Sequence, residues 1–388
     1  MLTYRTAGES HGKAALALVE GFPAGVQADL KLVNAELARR QGGYGRGGRM
    51  KIETDRVEVL SGLRRGVTLG SPIVLSVANR DCRIDDLQRT PPVFQPRPGH
   101  GDLAGALKYL DADMRNILER ASARETAARV AAGAFVRSLL AEIGIEVFAH
   151  VLSVGDVEAG GGEVEVTAET LPFLRRTRNR SPLYTLDRAA DKRIVAAIDA
   201  ACEAGDTLGG MVEAVAVGVP VGLGSHVAED RRLDARLAAA VMGIQAIKGV
   251  EIGLGFEAAR RPGSLMHDEI GYNVRRRRER TLGYERGSNR AGGIEAGISN
   301  GQPVVVRAGM KPIATLGRPL GSVDLRTKKP HRAAYERSDV CAVPAASVVV
   351  ENAVAFVLAQ ALLEKTGGDT LKEVKANLDS FLRMARTI

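Results

Sequence analysis

Hydrophobic positions along this chain alternate with a period of two in some stretches and recur every three to four residues in others, and the changes of period mark its elements. Between residues 57 and 77, Val57, Val59, Ile73, Leu75 and Val77 alternate around a turn, which predicts paired strands. From Met211 to Val221 the alternation is one of size: Val215, Val217 and Val219 share one side, Ala214, Ala216 and Gly218 the other. The small side predicts a sheet face pressed against closely packed helices. Further strands are expected on both sides of a glycine-bounded loop in 1–19, at 147–157, at 163–166, at 250–254 and at 304–307. A short helix is expected to end at 34–39. Helical spacing recurs at Ile194, Ile198 and Cys202 within 187–204, at Leu233, Leu237, Val241 and Ile244, and at Leu371, Val374, Leu378 and Phe381.

Two stretches carry no stripe at all. In 119–144 the run Ala127, Ala128, Val130, Ala131, Ala132, Gly133 and Ala134 is small on every side, so other backbones approach it all round, as they do a buried central helix. Ser122 and Glu125 spell a capping box at its start, and Gly144 supplies the stop. Arg120, Arg124 and Arg129 crowd its first turn, where free N–H groups and the helix dipole attract anions. An anion site and a buried helix with a basic rim are equally good readings of that end. The second stretch, 340–363, predicts another long alanine-rich helix ending near Gly367, with Asp339 placed as its cap or dipole partner.

Length and charge narrow the classes. A chain of 388 residues with 45% hydrophobic content suits one large globular domain or two ordinary ones, and no repeat, low-complexity linker or boundary divides it. No run of eighteen apolar residues and no signal-like succession at the start are seen, so a cytoplasmic protein without a membrane partner is expected. Cys82, Cys202 and Cys341 are far apart and the six histidines are scattered, which argues against disulfides and metal. The net charge of +8 points to nucleic acid or to an enzyme with polyanionic ligands. With 4% aromatic residues and no Trp, little is present on which to stack bases.

Candidate chemistry sits in the loops. Ser10 and His11 lie between glycines in Gly8-Glu9-Ser10-His11-Gly12, and His100 lies between Gly99 and Gly101 beside Arg97 and Pro98. Each histidine alone reads as a loop residue; two such loops make a shared proton-transfer site. The segment from Arg40 to Lys51 sets four cations among glycines. Gly43, Gly45 and Gly48 fit a dinucleotide fingerprint, but with a helix before and a strand after the order is wrong for one. A basic flap closing on phosphate and an arginine-glycine nucleic-acid segment remain. Lys311-Pro312-Ile313-Ala314-Thr315 offers a lysine and a hydroxyl around a proline turn, and the RRRRER run of 275–280 reads as a solvated face.

Gly8-Glu9-Ser10-His11-Gly12, Arg40 with Arg46, Arg97-Pro98-Gly99-His100, Ser122-Ala123-Arg124-Glu125-Thr126 and Arg337-Ser338-Asp339, in that order across nearly the whole chain, resemble the chorismate synthase family. The resemblance implies a single α+β domain in which antiparallel sheets sandwich long small-residue helices, assembled as a homotetramer. It implies a 1,4-trans elimination of phosphate from 5-enolpyruvylshikimate 3-phosphate, giving chorismate and requiring reduced FMN without net oxidation. Substrate and flavin together carry two carboxylates and two phosphates, which suits the planar fork of arginine.

By that resemblance Ser10, Arg40, Arg46, Arg49, Arg97, Arg124 and Arg337 hold the substrate, with Arg40 and Arg46 buried once the loop closes. His11 protonates the departing phosphate, His100 balances charge at the flavin ring, and Asp339 assists removal of the ring proton through flavin N5. The implied flavin contacts are Arg120, Ala121, Ser122, Gln245, Ala246, Ala296, Lys311 to Thr315 and Arg337. Ala121, Gln245 and Ala296 stand where serine, asparagine and glycine are commoner in the family; contacts through backbone atoms survive all three changes. Whether NADPH reduces the flavin on this chain or reduced flavin is supplied from outside is left open. The competing readings are a basic nucleic-acid binder, which leaves Ser10, His11, His100 and Asp339 unexplained, and an NADPH-dependent flavin reductase.

Overall fold

A computed structural model describes residues 1–47, 53–160, 165–336 and 338–388. The chain opens with β1 (Thr3–Ala7) and β2 (Ala14–Glu20), followed by α1 (Leu30–Gln41), β3 (Val57–Val59) and β4 (Ile73–Ala78). Three helices come next: α2 (Asp102–Tyr109), α3 (Met114–Ala121) and α4 (Thr126–Ile143). Then follow β5 (Glu146–Val154), β6 (Val157–Glu158), α5 (Leu171–Arg180), α6 (Arg188–Ala204), β7 (Gly210–Val217), α7 (Leu233–Met242), β8 (Ile247–Ile252) and β9 (Val304–Met310). The long α8 (Val343–Thr366) and α9 (Leu371–Ala385) close the chain.

The strands form two antiparallel sheets, ordered β1-β2-β4-β3 and β8-β9-β7-β5-β6. In the first, Ala15, Ala17 and Val19 pair with Val77, Leu75 and Ile73, and all six side chains are buried. In the second, Ala214 and Ala216 of β7 join the main core, whereas Val215 and Val217 on the opposite face pack with Phe148, Leu171 and Leu174. Ala214 and Ala216 therefore face the helices and Val215 and Val217 face α5, as the size alternation predicts, whereas Val219, beyond the end of the strand, joins the main core instead.

Between the sheets lie the two helices that have no polar stripe. α4 packs on the first sheet, α8 on the second, and the two pack on each other, giving a sheet–helix–helix–sheet sandwich. Fifteen of the eighteen residues of α4 are buried. The helices approach so closely that a Cβ on Gly133 would lie 2.2 Å from the carbonyl oxygen of Asn352, so this position admits only glycine without a backbone shift. Val343–Thr366 is long and apolar enough to cross a membrane, yet eighteen of its residues are buried inside the protein.

Two local expectations fail for the same reason. The capping box does not form: α3 ends at Ala121, Ser122 is extended, a 3-10 turn covers Ala123–Glu125, and α4 begins at Thr126. Glu125 does not reach back to Ser122, because Thr6 Oγ1 (2.6 Å), Arg129 Nε (2.9 Å) and Gln245 Nε2 (3.1 Å) all donate to it. Asp339 does not cap α8, which starts at Val343 with Ala342 as its N-cap. Of the strand expected at 163–166, 163 and 164 lie outside the described residues, and 165 and 166 are not in a strand.

Candidate active site

The loops at one end of the sandwich enclose a cavity of about 840 Å³. Its lining draws on the β1–β2 loop, the end of α1, the loop before α2, the α3–α4 junction, the α7–β8 turn, the segment after β9 and the start of α8. Among the described lining residues Arg40, Arg46, Arg83, Arg97, Arg115, Arg124 and Lys311 set seven cations against four carboxylates, Asp81, Glu119, Glu336 and Asp339. That excess suits a ligand with several negative charges.

The arginines are held by acids behind the wall. Asp55, whose side chain is fully buried, accepts from Arg40 Nη2 at 2.5 Å and from Arg124 Nη1 at 2.6 Å. Arg124 Nε also donates to Asn79 Oδ1 at 2.6 Å, and Arg40 Nη1 to Thr126 Oγ1 at 3.3 Å. Burial pulls the Arg40 guanidinium below its ordinary value; Asp55 opposes that and the neighbouring Arg124 adds to it. Arginine remains charged under such a shift, so the pair presents two fixed cations. Arg46 pairs with Asp339 at 2.8 Å, and Asp339 also accepts the Gly47 N–H at 2.6 Å.

The two histidine loops meet in this cavity. His11 Nδ1 lies 2.8 Å from Glu119 Oε1, and its Nε2 faces Arg83 Nη2 at 3.5 Å. His100 Nδ1 lies 2.5 Å from Asp102 Oδ1. Asp102 also accepts from Arg97 Nε at 2.9 Å, and Arg97 Nη1 donates to Thr315 Oγ1 at 2.8 Å. Ser10 Oγ donates to Ser122 Oγ at 3.1 Å. Lys311 Nζ donates to the Gly99 carbonyl at 2.7 Å, and burial, with Lys248 nearby, lowers its ammonium below the usual lysine range.

A second part of the lining is apolar. Leu118, Ala121, Ile244, Ala246, Met310, Ile313, Ala314 and Val349 offer aliphatic surface beside the cations. Among them sits Gln245, whose buried Oε1 has no hydrogen-bond partner among the described residues. A buried orphan acceptor of this kind is an invitation to a ligand N–H.

The structure thus brings together Ser10, His11, Arg40, Arg46, Arg97, His100, Ala121, Ser122, Arg124, Gln245, Ala246, Lys311, Ile313, Ala314, Thr315 and Asp339. Pro312 continues the same segment without lining the cavity. Arg120 points elsewhere, donating to the Gly8 and Thr6 carbonyls at 2.8 and 2.9 Å. Ala296 also stands apart, in the tight turn between the short strands Ile294–Glu295 and Ile298–Ser299, with a left-handed φ of 49°. Arg49 and Arg337 lie outside the described residues. Sequence reasoning did not single out Asp55, Asp81, Arg83, Asp102 or Glu119, although Asp102 follows His100 by two residues and an acid so placed is a signal.

Some of the arginines on which a nucleic-acid reading drew are paired with acids. Arg40 and Arg46 are turned inward onto acids, and Arg276 of the RRRRER run is tied to Glu279 at 2.7 Å and Glu285 at 3.0 Å.

Comparison with known proteins gives one answer. A family model described as Chorismate synthase matches residues 2–363. Proteins named Chorismate synthase from Geobacter sulfurreducens and Desulforamulus reducens are 55% and 56% identical, each match covering 100% of both chains. A solved structure described as "Crystal Structure of Chorismate Synthase" is 44% identical and superposes with a TM-score of 0.81 over 100% of this chain and 99% of that one.

Proposed function

The chain belongs to the chorismate synthase family, and from that premise we propose how its own residues carry the family's reaction. The activity is the 1,4-trans elimination of phosphate from 5-enolpyruvylshikimate 3-phosphate, leaving chorismate. One observation carries the assignment of roles: seven cations and two carboxylate-held histidines face a single cavity. In this reading Arg40, Arg46, Arg97 and Arg124, with Ser10, orient the two carboxylates and the phosphate of the substrate. Arg49 and Arg337 belong to the same set by family resemblance.

The leaving phosphate needs a proton and the ring must lose one. His11 is the donor: its doubly protonated ring gives the Nε2 proton while Nδ1–H stays on Glu119, which leaves the ring in the Nδ1–H form. Asp339, steadied by Arg46 and the Gly47 amide, holds the proton that leaves the ring. His100, its Nδ1 held by Asp102, balances charge at the flavin ring.

The residues fit reduced FMN. The orphan Oε1 of Gln245 matches an imide N–H, and the aliphatic surface around Ala246, Ile313 and Val349 matches a flat ring system. Ala121, Ser122 and the segment Lys311 to Thr315 complete that contact set, to which Arg120, Ala296 and Arg337 belong by resemblance. Reduced flavin, when bound, supplies the electron density that lets the carbon–oxygen bond to phosphate break. A single domain spanning the chain, homotetrameric assembly, a cytoplasmic location and the lack of nucleic-acid or membrane partners belong to the same reading, which holds equally whether NADPH reduces the flavin on this chain or reduced flavin is supplied from outside.

The test is anaerobic phosphate release from 5-enolpyruvylshikimate 3-phosphate with chemically reduced FMN, beside a control with oxidised FMN. Release only with reduced flavin, matched by chorismate absorbance, is expected. Equal release with oxidised flavin, or none from folded protein that binds FMN, overturns the reading. Anaerobic NADPH oxidation by the protein with FMN decides the source of electrons.

A further inference from the structure

Two carboxylates without an assigned role stand directly behind the two histidines. Glu119, on the last turn of α3, approaches His11 with both oxygens: Oε1 lies 2.8 Å from Nδ1 and Oε2 accepts the His11 backbone N–H at 2.8 Å. Asp102, the first residue of α2, has no exposed surface and lies 2.5 Å from His100 Nδ1. Burial works against ionisation of both. For Glu119 the bonds from His11 outweigh burial and hold the carboxyl below its ordinary value; for Asp102 the bonds from His100 and Arg97 hold it well below the carboxylate range.

An ionised carboxylate has no proton to give, so in each pair the shared hydrogen belongs to Nδ1 of the ring; at His100 the Asp102 oxygen at 2.5 Å is nearer to Nδ1 than Arg97 Nη2 at 3.1 Å. On the far side of His11, Nε2 has Arg83 Nη2 at 3.5 Å, a group that only donates, and Asp81 Oδ2 farther off at 3.8 Å, so the close bond that fixes the ring is the one to Glu119. An imidazole with no partner at Nδ1 favours the opposite form, with the hydrogen on Nε2.

We infer that Glu119 and Asp102 are positioning residues for the elimination, locking His11 and His100 in the Nδ1–H form so that Nε2 alone exchanges protons with the cavity. This rests on the reading that the two histidines face substrate and flavin. The two carboxylates are not equivalent. Asp102 is shared with the Arg97 side chain and backbone N–H, so its loss would also release a substrate arginine. Glu119 is engaged by His11 through ring and backbone together, and it is therefore the cleaner one to change.

The experiment uses the full chain labelled with ¹⁵N at histidine, with the His11 signals located by their loss in His11→Asn. In the unaltered protein His11 should show a protonated Nδ1 and a bare Nε2; in Glu119→Ala it should pass to the Nε2–H form. Glu119→Gln, which conserves shape, is expected to lose about 10- to 100-fold in kcat, the scale at which partners orienting a histidine act, with KM changed less than about threefold. Nε2–H in the unaltered protein, an unmoved tautomer in Glu119→Ala, or undiminished kcat in Glu119→Gln overturns the inference. The spectrum of the unaltered protein decides even if a variant fails to fold. Failure of the underlying reading looks different: His11→Asn would keep its turnover while the tautomer result stood.

Discussion

Arg39 and Arg40 are neighbours on the last turn of α1, and one helix step of about 100° sends them to two different ion clusters. Arg39 turns into the core, where it joins Arg137 and Arg178 around Glu36 and Glu351, between α1, α4, α5 and α8. Arg40 turns to the cavity and shares Asp55 with Arg124. The core cluster holds three cations against two acids, whereas at the cavity Glu53 Oε2, 3.9 Å from Arg124 Nη2, joins Asp55 and balances the two arginines; the difference lies in what the guanidiniums meet besides their acids. In the core, Arg137 and Arg178 spend further N–H groups on the carbonyls of Val147 and Ala149 in β5. At the cavity Arg40 and Arg124 form part of the wall that a ligand would meet. The same residue type in the same turn thus ties layers together in one place and waits for an anion in the other.

Breaking the core cluster should give the largest effect on stability. Burial raises the Glu351 carboxyl, but Arg39, Arg178 and Arg137 outweigh it and bring it to about 2. Glu351→Gln leaves three buried guanidiniums around a neutral amide, and a loss of about 3–5 kcal/mol is expected in urea unfolding. The sign with pH follows from the depressed value. The stabilisation is present above the ordinary glutamate range near 4.5 and is lost as pH falls toward about 2. Urea midpoints measured from pH 6 to pH 3 should fall steeply for the unaltered chain and less steeply for the variant. Turnover per folded molecule, in contrast, should hardly change.

Breaking the cavity cluster should reverse that pattern. Asp55→Asn removes the anion between Arg40 and Arg124, and two repelling guanidiniums then lose their fixed spacing. Misplacement of about an ångström costs a reaction on the order of 100-fold, so kcat/KM should drop about 10- to 100-fold. The loss of stability should be smaller than in Glu351→Gln, because Asp55 holds two guanidiniums where Glu351 holds three, and Glu53 stays beside Arg124. Equal stability losses in the two variants would show that cavity and core are built alike, contrary to the comparison.

What was legible in the sequence follows the same division. Strand alternation at Ile73, Leu75 and Val77 and the all-small surface of α4 report local rules of packing, and they appear in the structure as the sheet register and the central helix pair. Ser122 with Glu125 looked like a reciprocal capping box, yet only Ser122 caps, accepting the Arg124 N–H at 3.2 Å, since Thr6 and Gln245 reach Glu125 from more than a hundred residues away. Asp339 was drawn to Arg46 and Gly47 in the same way. The cationic and histidine members of the site were readable because glycine-rich loops with unpaired charge are conspicuous. Their partners Asp55 and Glu119 were not, because an acid becomes a counter-ion only once folding has chosen its neighbour. Asp102, two residues after His100, was the exception that spacing alone could have raised.

The smallest expected effect lies in the RRRRER run, and it splits that run in two. Arg276 is half-exposed and pairs with Glu279 and Glu285, both open to water that competes for the same charges. Arg276→Ala should therefore cost no more than about 0.5 kcal/mol, and less at high salt. Arg280, four residues on, is mostly buried and donates to the Ile143 carbonyl at the end of α4, where the last helical carbonyls lack partners. Arg280→Ala should cost about 1 kcal/mol with little dependence on salt. Urea midpoints of the two variants at low and high salt make the measurement. If Arg276→Ala proved as costly as Arg280→Ala and equally indifferent to salt, exposure would not be what separates idle charge from working charge in this protein, and the contrast between Arg39 and Arg40 would need another cause.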